Sequence, residues 1–217
     1  MIKVVIADDH HLFRQSIKSL LETTDDIEIV GEASDGQETL KLIQRKRPDV
    51  ALVDIAMPLL NGIETTYRIQ SLDVGTRVVI LSMYSDEDMV RQALKNGAKG
   101  YLLKRSLVEE LLLAIRAASI DEVYLSPAVA RSVLSGYLQN ETGDRTLSAV
   151  EQLSSREREV LQLIAEGHTN QAAAHILNIS AKTVETHRTN LVKKLEARNL
   201  PDLVRIALKH RLTFLDE

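Results

Sequence analysis

Residues 2–9 read Ile2-Lys3-Val4-Val5-Ile6-Ala7-Asp8-Asp9, and residues 50–54 read Val50-Ala51-Leu52-Val53-Asp54. Each is a short apolar run that stops on carboxylates. Such a run, without polar alternation, reads as a strand buried on both faces, as in a parallel sheet covered by helices. Two adjacent parallel strands ending in Asp bring their carboxylates to the carboxyl edge of the sheet, where open α/β sheets hold ligands. Carboxylates gathered there repel one another, and a hard divalent cation with oxygen ligands relieves that repulsion.

Outward from these runs the chain keeps alternating. Ile27–Glu32, Arg77–Leu81 and Gly100–Leu103 read as further strands. Between them apolar residues recur at helical spacing, as in Leu12, Phe13, Ile17, Leu20 and Leu21, or Met89, Val90, Ala93 and Leu94. Asp35-x-x-Glu38 and Ser106-x-x-Glu109 read as capping boxes, and Asn96-Gly97 as a helix stop. Five β/α units predict a doubly wound five-stranded parallel sheet in the order 2-1-3-4-5. Asp8, Asp9 and Asp54 then flank its switch point. Ser82 ends the fourth strand and Lys104 the fifth, beside Tyr101. An ammonium next to carboxylates suits an oxygen-rich phosphoryl group, and a serine hydroxyl adds one donor. Taken singly, each is more often an ordinary turn or surface residue. Their coincidence at one sheet edge gives the reading its weight. The adjacent pair His10-His11 points two ways and makes a poor joint metal site.

After residue 120 the period changes. Pro127–Leu138 predicts one extra helix, and Gln139–Leu147 is polar and aperiodic, a linker. From Ser154 the spacing is helical throughout. Ser154-x-x-Glu157 is a capping box, Gly167 a stop, Thr169 and Ser180 further caps, and a last helix runs from near Asn199 to about His210. Two short helices joined by the turn Asn178-Ile179-Ser180 form a helix-turn-helix pattern within an all-α four-helix domain. The expected organisation is a first domain over 1–120, an extra helix and linker over 121–148, and a second domain over 149–214.

The helix about Ala181–Leu195 carries an inward stripe of Val184, Leu191, Val192 and Leu195. Opposite lies a polar face of Lys182, Glu185, Thr186, Thr189 and Lys193. On a duplex, Glu185 can accept from a cytosine amino group, and Thr186 and Thr189 can offer methyls to thymine. Arg188 flanks that face, within reach of phosphate or guanine. Lys182, Lys193 and Lys194 suit phosphates. The bland alternative is a solvated helix surface. The last helix, with Leu203, Val204, Ile206, Ala207 and Leu208, offers core closure or a dimer contact.

Bulk properties fit this picture. The chain has 217 residues, 44% apolar and 27% charged, with no cysteine, so disulfides and thiolate metal sites are excluded. No apolar stretch is long enough to span a bilayer and no leader is evident, which predicts a cytoplasmic protein without membrane contact. Net charge is −4, divided as −3 over 1–120, −2 over 121–148 and +1 over 149–217. Only the last segment is not acidic, a weak pointer to nucleic acid. Aromatic residues make up 3%, too few for stacking recognition of single strands.

The motifs Ala7-Asp8-Asp9-His10, Val53-Asp54-Ile55-Ala56-Met57-Pro58, Leu81-Ser82-Met83 and Gly100-Tyr101-Leu102-Leu103-Lys104 resemble the receiver domain of bacterial two-component response regulators. The stretches Leu153–Leu161 and Lys182–His187 resemble the LuxR/NarL (FixJ) type of helix-turn-helix. The resemblance implies that Asp54 accepts a phosphoryl group from a sensor histidine kinase. It implies a Mg²⁺ site formed by Asp9, by Asp8 through water, by Asp54 and by the Ala56 carbonyl. Lys104 would pair with phosphoryl oxygens, Ser82 would swing to bond one of them, and Tyr101 would follow inward. The receiver would catalyse only its own phosphorylation and dephosphorylation, so the protein is not otherwise an enzyme. Its partners would be the kinase, double-stranded DNA, a second copy of itself on activation, and RNA polymerase.

Three places depart from the family pattern. Arg105 follows Lys104 where an acidic or small polar residue is common. Ser119-Ile120 stands where glycines often close the fifth helix. Gln171-Ala172-Ala173-Ala174 replaces a run with Lys, Glu and Ile. Two rival functions fit the residues less well. A Mg²⁺-dependent phosphatase or phosphotransferase would want Asp-x-Asp at the first strand and leaves the tail unexplained. A phosphorylation-independent transcription regulator leaves the complete acidic set unexplained.

Overall fold

The computed structural model describes residues 1–139, 149–150 and 152–214, with the side chains of 106–109 and 135–139 outside that description. The linker reading, beyond Gln139, and the Ser106–Glu109 box therefore lie outside the described residues. Two compact units make up the chain, one β/α and one all-helical.

In the first unit strands β1 (Ile2–Ala7), β2 (Ile27–Ala33), β3 (Val50–Asp54), β4 (Arg77–Ser82), β5 (Ala98–Leu103) and β6 (Tyr124–Leu125) alternate with α1 (His11–Leu21), α2 (Gly36–Lys46), α3 (Gly62–Ser71), α4 (Glu87–Lys95) and α5 (Leu107–Ser119). All strand pairs are parallel, in the order β2-β1-β3-β4-β5-β6. The expected order is present, extended by one strand. Val4–Ala7, Val50–Val53 and Val78–Leu81 are fully buried, as strands covered on both faces must be. Ile17, Leu21, Leu111 and Ile115 close one face with Val4, Ile6, Leu52 and Leu81.

Caps set the helix starts. Asn61 and Asp86 accept from the backbone N–H three residues on. Asp35 does the same for Glu38 at 2.8 Å, but the expected box is not reciprocal. The Glu38 carboxylate returns to the Ser34 N–H at 2.9 Å, one residue earlier than the cap. Gly97, at φ 96°, follows the C-cap Asn96 and ends α4 where the sequence stopped it.

Residues 121–139, which the sequence set apart from the first domain, are partly bound into it. Tyr101 pairs with Leu125 of β6, and the Ser126 N–H donates to the Tyr101 carbonyl at 3.1 Å. Gly100 allows this approach, because a Cβ there would meet Val79 at 3.1 Å and the Tyr124 carbonyl oxygen at 3.3 Å. Helix α6 (Pro127–Gln139) then packs on α4 and β5.

The second unit is α7 (Ser155–Ala165), α8 (Asn170–Leu177), α9 (Ala181–Lys194) and α10 (Leu200–Lys209). Its core includes Leu161, Leu177, Val184, Leu191 and Leu203. The Ser154–Glu157 box is complete on both sides. Asn178, left-handed at φ 53°, closes α8 and makes the tight turn into α9. Arg156 crosses from α7 to the Leu177 carbonyl at 2.7 Å, fixing the end of α8.

Candidate functional site

The carboxyl edge of the first sheet gathers the residues expected there. Asp8 and Asp54 are buried at the ends of β1 and β3, and Asp9 is more open. Lys104, just past β5, reaches over both. Its Nζ is 2.7 Å from Asp8 Oδ2 and 3.0 Å from Asp54 Oδ2. The Phe13 ring lies under that ammonium, 4.5 Å from Nζ to the ring centre, and limits its escape. Donor atoms of Asp8, Asp9, His10 and Asp54 all fall within 4.8 Å of one another.

Three carboxylates face one ammonium, leaving two formal negative charges to be balanced. Desolvation raises the buried Asp54 carboxyl, Lys104 pulls it back and Asp8 and Asp9 push it up again, which together leave it at about 6. Burial draws the Lys104 ammonium down, but Asp54 and Asp8 outweigh it and leave the lysine above its ordinary range. Lys104 sits at ion-pair distance, yet Oδ2 of Asp8 and of Asp54 receive no aligned hydrogen bond. Buried oxygens in that state, beside a third carboxylate, fit a hard divalent cation. Ala56 lies in the bend after β3, two residues from Asp54.

The loop from β3 to α3 is shaped by Gly62. A Cβ on it would stand 2.2 Å from the Asp54 carbonyl oxygen, so only glycine lets α3 start this close to the site. Arg14 of α1 donates to the Asp8 carbonyl and holds the end of β1.

Ser82 and Tyr101 belong to one hydrogen-bonded run. The Ser82 Oγ accepts from the Tyr84 N–H at 3.0 Å, and the Tyr101 hydroxyl donates to the Tyr84 carbonyl at 2.8 Å. Tyr101 is fully buried, so its ring already points inward. The next carbonyl, Ser85, accepts from the Ser132 hydroxyl of α6 at 3.0 Å. The strand-end serine is thus two backbone steps from the last helix of the unit.

In the second unit Lys182, Glu185, Thr186, Thr189 and Lys193 are exposed along α9, while Val184 and Leu191 are buried. The Thr186 and Thr189 hydroxyls donate back to the Lys182 and Glu185 carbonyls at 3.0 Å each, so these threonines present mainly methyls outward. Arg188 is half-buried at the flank. Lys194 differs from the other cations, because its Nζ is 2.8 Å from Glu157 of the α7 capping box. It ties α9 to α7.

A family model for the response regulator receiver domain matches residues 4–116, and one for the bacterial regulatory proteins of the luxR family matches residues 151–207. The chain is a two-component response regulator of the LuxR family. This response regulator is 37% identical to the oxygen regulatory protein NreC of Staphylococcus carnosus (strain TM300), over 97% of this chain and 99% of that one. Among solved structures it resembles the response regulator ChrA of a heme-sensing two-component system, with TM-score 0.53 and 35% identity over 97% of this chain and 98% of that one. It also resembles the response regulator RcsB in complex with DNA, with TM-score 0.58 and 25% identity over 94% and 96%. The regulator is therefore a transcription regulator with a receiver and a LuxR-type DNA-binding domain. Among its described residues no helix is long and apolar enough to cross a membrane.

Sequence reasoning missed Phe13, Arg14, Gly62 and Ser132. Phe13 and Arg14 were legible only as one apolar and one polar position of α1. No local pattern announces that they meet Lys104 and the Asp8 carbonyl.

Proposed function

We propose that Asp54 of this response regulator is the phosphoacceptor and that a sensor histidine kinase is the donor. The observation carrying this reading is the Lys104 ammonium bridging two buried carboxylates at the ends of adjacent strands. Asp54 attacks the phosphorus of the kinase's phosphohistidine in line, the P–N bond breaks as the imidazole leaves, and the phosphoryl oxygens take up the Lys104 ammonium that Asp54 now shares with Asp8. Asp9, Asp54 and the Ala56 carbonyl would hold Mg²⁺ directly and Asp8 through water. Bound there, the ion neutralises charge on the transferring group. The receiver promotes only its own phosphorylation and dephosphorylation.

Ser82 then leaves the Tyr84 N–H to donate to a phosphoryl oxygen. The loop at Tyr84 and Ser85 loses one restraint, and Tyr101 and Ser132, bonded to its carbonyls, register the change. Phosphorylation favours a dimer, and two copies of α9 bind inverted half-sites on duplex DNA. Glu185, Thr186 and Thr189 read bases, Arg188 reads guanine or phosphate, and Lys182 and Lys193 contact phosphates, with Lys194 a lesser contributor. The working organisation is receiver 1–120, extra helix and linker 121–148, and DNA-binding domain 149–214. The protein acts in the cytoplasm, with RNA polymerase as the partner through which transcription responds.

The experiment is a DNA-binding titration with and without Mg²⁺ and beryllofluoride, with molecular mass measured in parallel. Tighter binding together with dimer formation supports the proposal. Equal affinity and mass in both states would exclude it.

A further inference from the structure

The acidic edge holds one ligand-capable group that phosphoryl transfer leaves idle. The His10 Nδ1 lies 2.7 Å from Asp9 Oδ1 and 3.3 Å from Asp8 Oδ1. In an octahedral shell with bonds of about 2.1 Å, neighbouring ligand atoms stand about 3 Å apart. The imidazole nitrogen keeps about that spacing to Asp9, the carboxylate that would ligate directly, and it shares a 4.8 Å cluster with Asp8 and Asp54. Oδ2 of Asp8 and of Asp54 are buried there with the single Lys104 ammonium, at 2.7 and 3.0 Å, between them, so three carboxylates share one cation.

We propose that His10 is a metal-specificity residue, whose Nδ1 enters the coordination shell of the divalent cation at this edge and shifts the site's preference from Mg²⁺ toward borderline ions such as Co²⁺ and Ni²⁺. This rests on the reading that the cluster holds a divalent cation at all. Carboxylates, carbonyls and water suit Mg²⁺, which parts from water reluctantly; an imidazole ligand favours the transition ions. The ring is two-thirds exposed, so it can turn toward an ion at little cost. His10 is also the N-cap of α1, but its side chain makes no capping bond. Its hydrogen bond to Asp8 Oδ1, at 2.9 Å, comes from the main-chain N–H. Removing the side chain therefore spares both the helix start and the anchor of Asp8.

A different use of the same geometry is orientation of Asp9 by a hydrogen bond from Nδ1. The two uses separate cleanly. A hydrogen-bond donor that merely aims Asp9 helps every cation alike, whereas a nitrogen ligand helps the transition ions alone.

The test compares tag-free full-length protein with His10→Ala, matched for melting behaviour. Calorimetric titrations with Mg²⁺ and with Co²⁺ give the two affinities, and pulsed electron paramagnetic resonance on bound Mn²⁺ detects nitrogen in the shell. The expected result is a ¹⁴N modulation in wild type that disappears in the variant. The Co²⁺-to-Mg²⁺ affinity ratio should fall about tenfold or more, since losing even an outer partner of a ligand costs about 10–100-fold in metal affinity, with Mg²⁺ affinity nearly unchanged. No ¹⁴N modulation in wild type, an unchanged ratio, or equal weakening of both ions would overturn the proposal. Failure of wild type to bind Mg²⁺ would overturn the cation reading beneath it, a distinct outcome.

Discussion

Asp54→Asn should make the metal-free protein more stable at neutral pH. Folding buries the Asp54 carboxyl and pushes it up to about 6 from an ordinary 3.8. A raised acid stabilises the fold in its protonated form; that contribution is fully present below about 3.8 and is lost as pH rises through about 6. At pH 7.5 the buried carboxylate costs about 3 kcal/mol, at about 1.4 kcal/mol per pH unit. Asparagine removes the charge at nearly equal volume. Lys104 keeps Asp8 as partner at 2.7 Å, so no lone ammonium is left behind. Some ion-pair energy with Asp54 is forfeited, and the net gain should be about 1–3 kcal/mol at pH 7.5 and no more than about 1 kcal/mol at pH 4.5. All five tyrosines fall within residues 67–137 and there is no tryptophan, so tyrosine emission in urea follows the receiver unit alone. In chelator the midpoint should rise at pH 7.5 and converge with wild type toward pH 4.5. Saturating Mg²⁺ should narrow the difference, because wild type keeps a ligand the variant lacks. A gain of the same size at both pH values, or none at pH 7.5, would refute the electrostatic origin.

Lys104→Ala should leave two buried carboxylates unpaired, cost about 3 kcal/mol at pH 7.5 in urea melts without metal, and abolish phosphorylation by acetyl phosphate. Gly62→Ala should displace the loop after β3 and cost about 3 kcal/mol or more, read by the same melts, because its Cβ would collide with backbone rather than with a movable side chain. Ser132→Ala should lose about 1 kcal/mol at most, and the measurement of interest is hydrogen exchange of α6, which should quicken without phosphorylation and change less when Asp54 is phosphorylated. On DNA, Lys182→Ala and Lys193→Ala should each lower the slope of affinity against salt by about 1, whereas Lys194→Ala should change it less and melt the second unit earlier. Burial opposes it, but Lys194 and the Ser154 backbone and hydroxyl hold the Glu157 carboxyl below its usual range; its stabilisation is present above the ordinary Glu value and lost as pH falls through the folded one, so acid should lower the melting temperature of that unit.

The strands were legible because burial on both faces leaves nothing but apolar residues between polar ends. β1 falls where the sequence put it, and β3 and β4 each gain one residue at the end carrying Asp54 or Ser82. β6 was not legible, since two residues, Tyr124 and Leu125, show no period, and their pairing depends on Gly100 from another strand. The acidic edge followed from strand ends alone, because parallel strands must bring them together. The supports beneath it, Phe13 and Arg14, required knowing how α1 lies on the sheet. Lys194 read as one more cation suited to phosphate, because its partner Glu157 is 37 residues earlier and spacing carries no trace of it. Glu38 shows the same limit at short range, where the motif predicted a bond to the cap and the carboxylate reached Ser34 instead.

The central claim is that Asp54 carries phosphorus for a time and that its charge changes how the carboxy-terminal unit holds DNA. Full-length protein given Mg²⁺ and acetyl phosphate, then cleaved and sequenced by mass, should carry one hydroxylamine-labile acyl phosphate on Asp54, and the same preparation should bind duplex more tightly than its Asp54→Asn counterpart. An acyl phosphate on another residue, none at all, or equal binding by the two would contradict the account.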